Sequence, residues 1–170
     1  MTELSIDKLW DGTPLPTDEC ASLRLAWEGD ELVIDVDAPF QGDPAPTAPI
    51  GPTDRLWEHE VVELFVVGEG ETYTEIELSP HGHHWVLRLE GIRQAVDKGI
   101  TIEFAPTIQG DRWTGRARIA KRHLPADRRT ANAFRIAGVG PKRRFFAWAP
   151  VPGDGPNFHR LEHFGAWPLG

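Results

Sequence analysis

Along most of its length the chain alternates apolar and polar residues with a period of two. In 22–39, Leu23, Leu25 and Trp27 share one side of a run, and Leu32, Ile34 and Val36 share one side of the next, with Gly29 and Asp30 between them. Successive side chains of a strand point to opposite faces, so this stretch reads as a β-hairpin. Further strand-like runs fall at 61–67, 73–79, 84–90, 100–108, 112–119, 133–138 and 144–149. Turn residues separate them at Gly68 to Gly70, Pro80 to Gly82, Gly110 to Asp111 and Gly138 to Pro141. The pattern predicts one all-β domain over residues 1–170, a jelly-roll-like β-sandwich of about nine or more mainly antiparallel strands. Two stretches, 91–98 and 121–131, are predicted as short helical connections, and 40–54, with Pro44, Pro46, Pro49 and Pro52, as a surface loop.

One run breaks the pattern. VVELFVV, 61–67, is apolar on both parities except at Glu63. In the next run Tyr73, Glu75 and Glu77 share the parity opposite Ile76 and Leu78, which predicts a wet face. Later runs set Arg88, Arg116, Arg118 and Arg135 against large apolar neighbours. If these strands lie in one sheet, its non-core face gathers Glu63, Glu75, Glu77 and the four arginines, rimmed by Trp57, Tyr73 and Trp148. A solvated face with cross-strand ion pairs, each contributing roughly 0.2–1 kcal/mol, is the purely structural account of such a pattern. The aromatic rim adds a second account. A pyranose offers an apolar face for stacking and hydroxyls for charge-assisted hydrogen bonds. Stacking of roughly 1–3 kcal/mol and charged hydrogen bonds of about 1.5–3 kcal/mol predict micromolar to millimolar binding.

The composition narrows the choice of partner. A formal charge of −8 opposes generic binding to nucleic acid or to an anionic membrane, and only PKRR (141–144) and KRHLPADRR (121–129) approach basic clusters. Apolar residues at 40% and charged residues at 26% fit a folded domain. Cys20 stands alone, so no internal disulfide is expected. The start, MTELSIDKLW, has neither a basic n-region nor an apolar h-region, and the expectation is a cytoplasmic protein without a membrane span.

LWEHEVVELFV and YTEIELSPHGHHWVL, followed by WTGRARIAKRHLP, NAFRIAG, FFAWAPV and NFHRLEHFG, together resemble the DOMON-like superfamily around family 9 carbohydrate-binding modules. The similarity spans roughly residues 20–168 and points to a free-standing branch. It implies a β-sandwich that holds a sugar between two tryptophans, with a glutamate and an arginine on its hydroxyls. Trp57 and Glu63 match that pattern by motif and spacing, Arg88 and Trp148 by strand order. The Pro-rich loop before Trp57 and the missing export signal depart from it, which shifts the expectation from extracellular polysaccharide to a small carbohydrate or glycan end.

The expected site is therefore Trp57, Glu63, Glu75, Glu77, Arg88 and Trp148, with no cofactor. The competing functions are protein binding through the aromatic rim and edge strands, and glycoside hydrolysis by Glu75 and Glu77. Those two glutamates should have Cα atoms about 6.6 Å apart on one strand face, yet hydrolases place their carboxylates on opposite sides of the scissile bond. No metal site is expected: among the histidines, the commonest ligands, His83 and His84 point to opposite strand faces, and His159 and His163 share a face only in a helix. Met1 is the only methionine, which argues against the Met/His haem ligation of some DOMON relatives.

Overall fold

In the computed structural model, which describes residues 1–170, thirteen strands build two antiparallel sheets. They are β1 (Thr2–Ile6), β2 (Lys8–Leu9), β3 (Ala21–Glu28), β4 (Glu31–Pro39), β5 (Val61–Val67), β6 (Thr72–Leu78), β7 (His84–Glu90), β8 (Ala95–Lys98), β9 (Glu103–Gln109), β10 (Arg112–Ala120), β11 (Thr130–Ala137), β12 (Arg144–Ala147) and β13 (Gly165–Ala166). The first sheet runs β1-β3-β4-β10-β9. The second runs β2-β12-β11-β5-β6-β7-β8, with β13 beside β11. The β3–β4 hairpin turns at Gly29, whose φ of 61° suits a residue without a Cβ.

Alternation places Leu23, Leu25, Ile34, Val36, Trp113 and Ala117 of the first sheet against Val62, Leu64, Ile76 and Val86 of the second, and these residues form the main core. The second sheet has another apolar face. Phe65, Tyr73, Leu89, Phe134 and Ile136 form a separate cluster, covered by Val151, Phe158 and Phe164 of the C-terminal segment. Phe158 lies flat on Phe134 with ring centroids 3.9 Å apart, and Phe164 meets Phe65 edge-on. The middle of the second sheet is therefore covered on both faces. That accounts for the apolar residues on both parities of β5, Glu63 excepted, as in any doubly covered strand.

The structure departs from the sequence expectations at two connections. Residues 95–98 form edge strand β8 rather than a helix, bounded by Gly91 and Gly99 at positive φ. In 121–131 only Lys121–His123 make a single 3-10 turn, since Pro125 cannot continue a helix. The mixed-charge platform is also divided. Arg116 and Arg118 lie on β10 in the first sheet, where Arg116 makes two bonds to Asp35 (2.7 and 2.9 Å) and Arg118 reaches Glu28 and Glu31. Arg135 points between the sheets, because β11 pairs it with inward-facing Val62.

Gly138 closes β11 at φ 92°, and a Cβ there would sit 2.2 Å from the Lys142 carbonyl oxygen. Gly138→Ala is expected to cost at least about 1–3 kcal/mol through backbone strain alone, read as a lowered denaturant midpoint.

Candidate functional site

Three of the sequence-predicted residues converge on the covered face of the second sheet. β5 and β6 pair with Glu63 opposite Glu77, and Glu75 follows two residues before Glu77 on the same face. One oxygen from each carboxyl group lies within 4.8 Å of the others. All three are buried, at 2%, 6% and 1% exposure for Glu63, Glu75 and Glu77. The wet face expected for β6 is thus a dry one, because the C-terminal segment folds over it.

Like charges opposite one another repel, and here the water that would screen them is gone. Burial, then the neighbouring carboxylates, holds Glu63 and Glu77 well above the usual carboxylate range. Burial pushes Glu75 up to about 7. Neither oxygen of Glu77 makes a hydrogen bond of normal geometry, and its polar neighbours are the Trp57 amide and the Glu75 carboxyl.

A cleft with two adjoining lobes opens beside the cluster. One lobe, of about 300 Å³, is lined by Trp57, Glu63, Glu75, Arg93, Phe145, Pro156, Phe158 and His159. The other, of about 220 Å³, reaches Glu77 and Trp85 and shares Trp57, Glu75, Arg93 and His159 with the first. Trp57 stands at the mouth, 48% exposed, on a single 3-10 turn (Leu56–Glu58). The turn is held from below by fully buried Leu56. From the side, Arg143 donates to the carbonyls of Trp57 and Glu58 and lies over the Phe145 ring.

The opposite wall is a relay. The Arg93 amide donates to the Tyr73 hydroxyl (2.9 Å), which lies 2.8 Å from His159 Nδ1. With the tyrosine oxygen already accepting, its proton is directed to Nδ1, and the neutral imidazole then carries its hydrogen on Nε2, 3.9 Å from Glu75. Burial, reinforced by Arg93, pushes His159 down to about 4, in keeping with a neutral ring. Burial pushes Tyr73 up to about 12, so it stays a phenol. Arg93 adopts φ 59°, and its guanidinium is tied to Asn157 Oδ1 at 2.9 Å.

Two expected site residues lie elsewhere. Arg88 pairs with Thr74, and both belong to the inward-facing parity of the second sheet, opposite to that of Glu75 and Glu77. Its closest acid is Asp97 on edge strand β8, at 4.0 Å. Trp148 follows Ala147 and falls on the inter-sheet side, packed against the main core and against Gly165, so it lines neither lobe. The place expected for a second tryptophan wall is filled by Phe145 and Phe158 on one side and Trp85 on the other. Register sets Trp85 opposite Glu77, on the cleft side of β7.

The arrangement limits the chemistry available. The Glu75 and Glu77 carboxyls project side by side from one face of one strand rather than from opposite sides of a bond as in glycosidases. They could hold protons, donate hydrogen bonds to a ligand, or share a cation.

The burial of these acids has a measurable consequence. Groups raised above 4.5 in the fold keep protons that the unfolded chain releases, so their stabilisation is complete at low pH and is lost as pH climbs through the folded value. His159 works in the opposite sense between about 4 and 6.5, where only the unfolded chain protonates it. Above pH 6.5 the carboxyls act alone. In chelator-treated protein, stability to urea is expected to fall from pH 6.5 to about 8, and Glu77→Gln should flatten that fall. A native chain with a constant midpoint over this range would contradict the dry cluster.

No family model matches the chain. It is similar to the UPF0462 protein C4orf33 homolog of Danio rerio, at 37% identity over 164 residues, covering 91% of this chain and 83% of that protein. It is 35% identical to the Homo sapiens UPF0462 protein C4orf33 over 173 residues, covering 95% and 85%. Among solved structures, a "putative carbohydrate-binding protein" from Bacteroides uniformis shares the fold, with a TM-score of 0.70 at 19% identity over 98% of this chain and 85% of that one. A family 9 carbohydrate-binding module from Caldicellulosiruptor kristjanssonii, in complex with cellotriose, gives a TM-score of 0.49 at 11% identity over 76% of this chain and 65% of that one.

Proposed function

Because the chain belongs to the UPF0462 family, a name that carries no activity, its function has to be argued from the site, and we propose that it binds a small carbohydrate or glycan end in the cleft beneath Trp57. The observation that carries this reading is the exposed Trp57 indole at the mouth of a cleft floored by Glu63 and Glu75 and walled by Arg93 and His159. An aromatic face at a mouth and polar groups below it suit a ring that is apolar on one face and hydroxylated at its edge. The larger lobe, at about 300 Å³, lies at the small end of ligand sites and fits one sugar ring better than a chain.

Two further points support the reading. The Trp57–Glu63 spacing resembles the tryptophan and glutamate of family 9 carbohydrate-binding modules and their DOMON-like relatives, and here both residues line one lobe. The "putative carbohydrate-binding protein" of Bacteroides uniformis shares the fold across nearly the whole chain.

In this role the Glu63 and Glu75 carboxyl groups exchange hydrogen bonds with the sugar hydroxyls, the Arg93 guanidinium donates beside them, and His159 offers its Nε2 hydrogen. Isothermal titration with a panel of mono- and disaccharides tests this. Binding in the micromolar to millimolar range, weakened by Glu75→Ala, is expected. A panel that gives no heat up to millimolar protein and tens of millimolar sugar would remove the reading.

A further inference from the structure

We propose that Glu63, Glu75 and Glu77 bind a hard divalent cation, of the calcium class, at the floor of the cleft. The proposal stands on the carboxylates alone and does not depend on what occupies the space above them.

Geometry supplies the first argument. One oxygen from each residue lies within 4.8 Å of the other two. Calcium ligands at roughly 2.3–2.6 Å from the ion stand about 4.6–5.2 Å apart when opposite and closer when adjacent, so the cluster can bind one ion by small side-chain rotations. Adjacent antiparallel strands fix Glu63 and Glu77 directly opposite each other, which keeps the donors together without a flexible loop.

The second argument is an unmet need. Glu77 is 1% exposed, and neither of its oxygens makes a hydrogen bond of normal geometry. Buried polar atoms are nearly always satisfied, and this carboxyl group faces two more carboxyls, with the Trp57 backbone amide beside it but no cationic counterpart. The surrounding cations do not supply one. Arg143 is engaged by the carbonyls of Trp57 and Glu58, and the Arg93 guanidinium by Asn157. Neither arginine, nor any lysine, forms an ion pair with the three glutamates. The one partner of the cluster is His159, 3.9 Å from Glu75.

The donor set then selects the ion. Three carboxylates with no thiol are hard oxygen ligands, which suit calcium, magnesium or manganese and give copper and zinc no special advantage. Three protein ligands leave positions open towards the cleft, where water or ligand hydroxyls can complete the shell. Magnesium demands a tighter octahedron than donors spread up to 4.8 Å provide, which places calcium and manganese ahead of it.

The test uses the full chain, stripped with chelator and titrated at pH 7.5 with calcium, magnesium, manganese and zinc chlorides in separate calorimetric runs. Each run is paired with a thermal melt, because a ligand that binds only the folded state raises the melting temperature. Calcium or manganese should bind with one ion per chain, and Glu77→Gln should weaken the interaction at least tenfold. Glu63→Gln should do the same, and it serves as the second variant if the first folds poorly. Glu103→Gln, on exposed β9, should leave the affinity unchanged. Absence of binding by calcium and manganese at millimolar concentration would overturn the site, as would binding that both cluster variants leave intact. Binding of zinc alone would overturn the choice of ion. No sugar is present in these titrations, so a negative result here and a negative saccharide panel are separate outcomes.

Discussion

Replacing Arg135 with alanine is expected to destabilise the fold by about 3–5 kcal/mol, the largest single loss foreseen in this chain. Arg135 and Glu60 face one another between the sheets, 3.8 Å apart, with side chains 3% and 2% exposed. The guanidinium also lies over the Phe146 ring and donates to the Pro39 carbonyl at 3.2 Å. Glu60 in turn accepts from the amides of Gln41 (2.7 Å) and Asp43 (3.4 Å), and Asp43 accepts from Gly138 (2.7 Å). Removing the arginine leaves Glu60 as an uncompensated buried acid at the point that anchors the Pro-rich loop. Burial already raises Glu60, so part of the loss is recovered by protonation at low pH. Urea denaturation at pH 8 and pH 5 should show the larger deficit at the higher value. A loss below about 1 kcal/mol at both would mean that the pair is not structural.

Trp57→Ala is expected to abolish measurable saccharide binding while leaving the melting temperature within a degree or two. Stacking on an indole contributes roughly 1–3 kcal/mol, which is about a fivefold to 150-fold change in affinity and brings a millimolar ligand beyond detection at the upper end. The ring is 48% exposed, and the turn beneath it is held by Leu56 and Arg143, so the fold loses little. Trp148→Ala should do the reverse. Its ring packs against the main core, so stability falls and binding persists. Calorimetry and thermal melts on the two variants separate the roles, and equal loss of binding in both would undo the placement of the site.

The sandwich was legible because alternation survives in nearly every strand. VVELFVV and HWVLRLE were delimited correctly, since strand ends coincide with glycine and proline turns. Which face each strand turned to the core was not legible. In sequence, charged residues suggest a solvated face, but in a sheet covered on both sides polarity does not mark solvent. Arg135 and Glu63 sit on opposite faces of adjacent strands, and both are buried. Only register decides the matter: pairing Arg88 with Thr74 and Trp85 with Glu77 reverses the assignment for β7.

The glutamate cluster was legible as a spacing, Glu63 with Glu75 and Glu77, but its dryness was not. The cover comes from Phe158 and Phe164, about a hundred residues away in sequence, and the only hint was the aromatic content of the C-terminal segment. Arg93 left no signal, because its position depends on a left-handed backbone at a residue type that rarely adopts one. In sequence His159 suggests a pairing with His163, whereas its partners are Tyr73 and Glu75, brought to it by folding.

If the cleft under Trp57 takes a carbohydrate, as proposed, the indole N–H resonances of the seven tryptophans report it most directly. In a saccharide titration followed by nitrogen-resolved NMR, the Trp57 indole is expected to shift in a saturable way, with Trp85 following because it lines the second lobe. Trp113, 1% exposed in the main core, should stay fixed. A Trp57 signal that does not move with any sugar at tens of millimolar, or that moves only together with Trp113, would contradict the account.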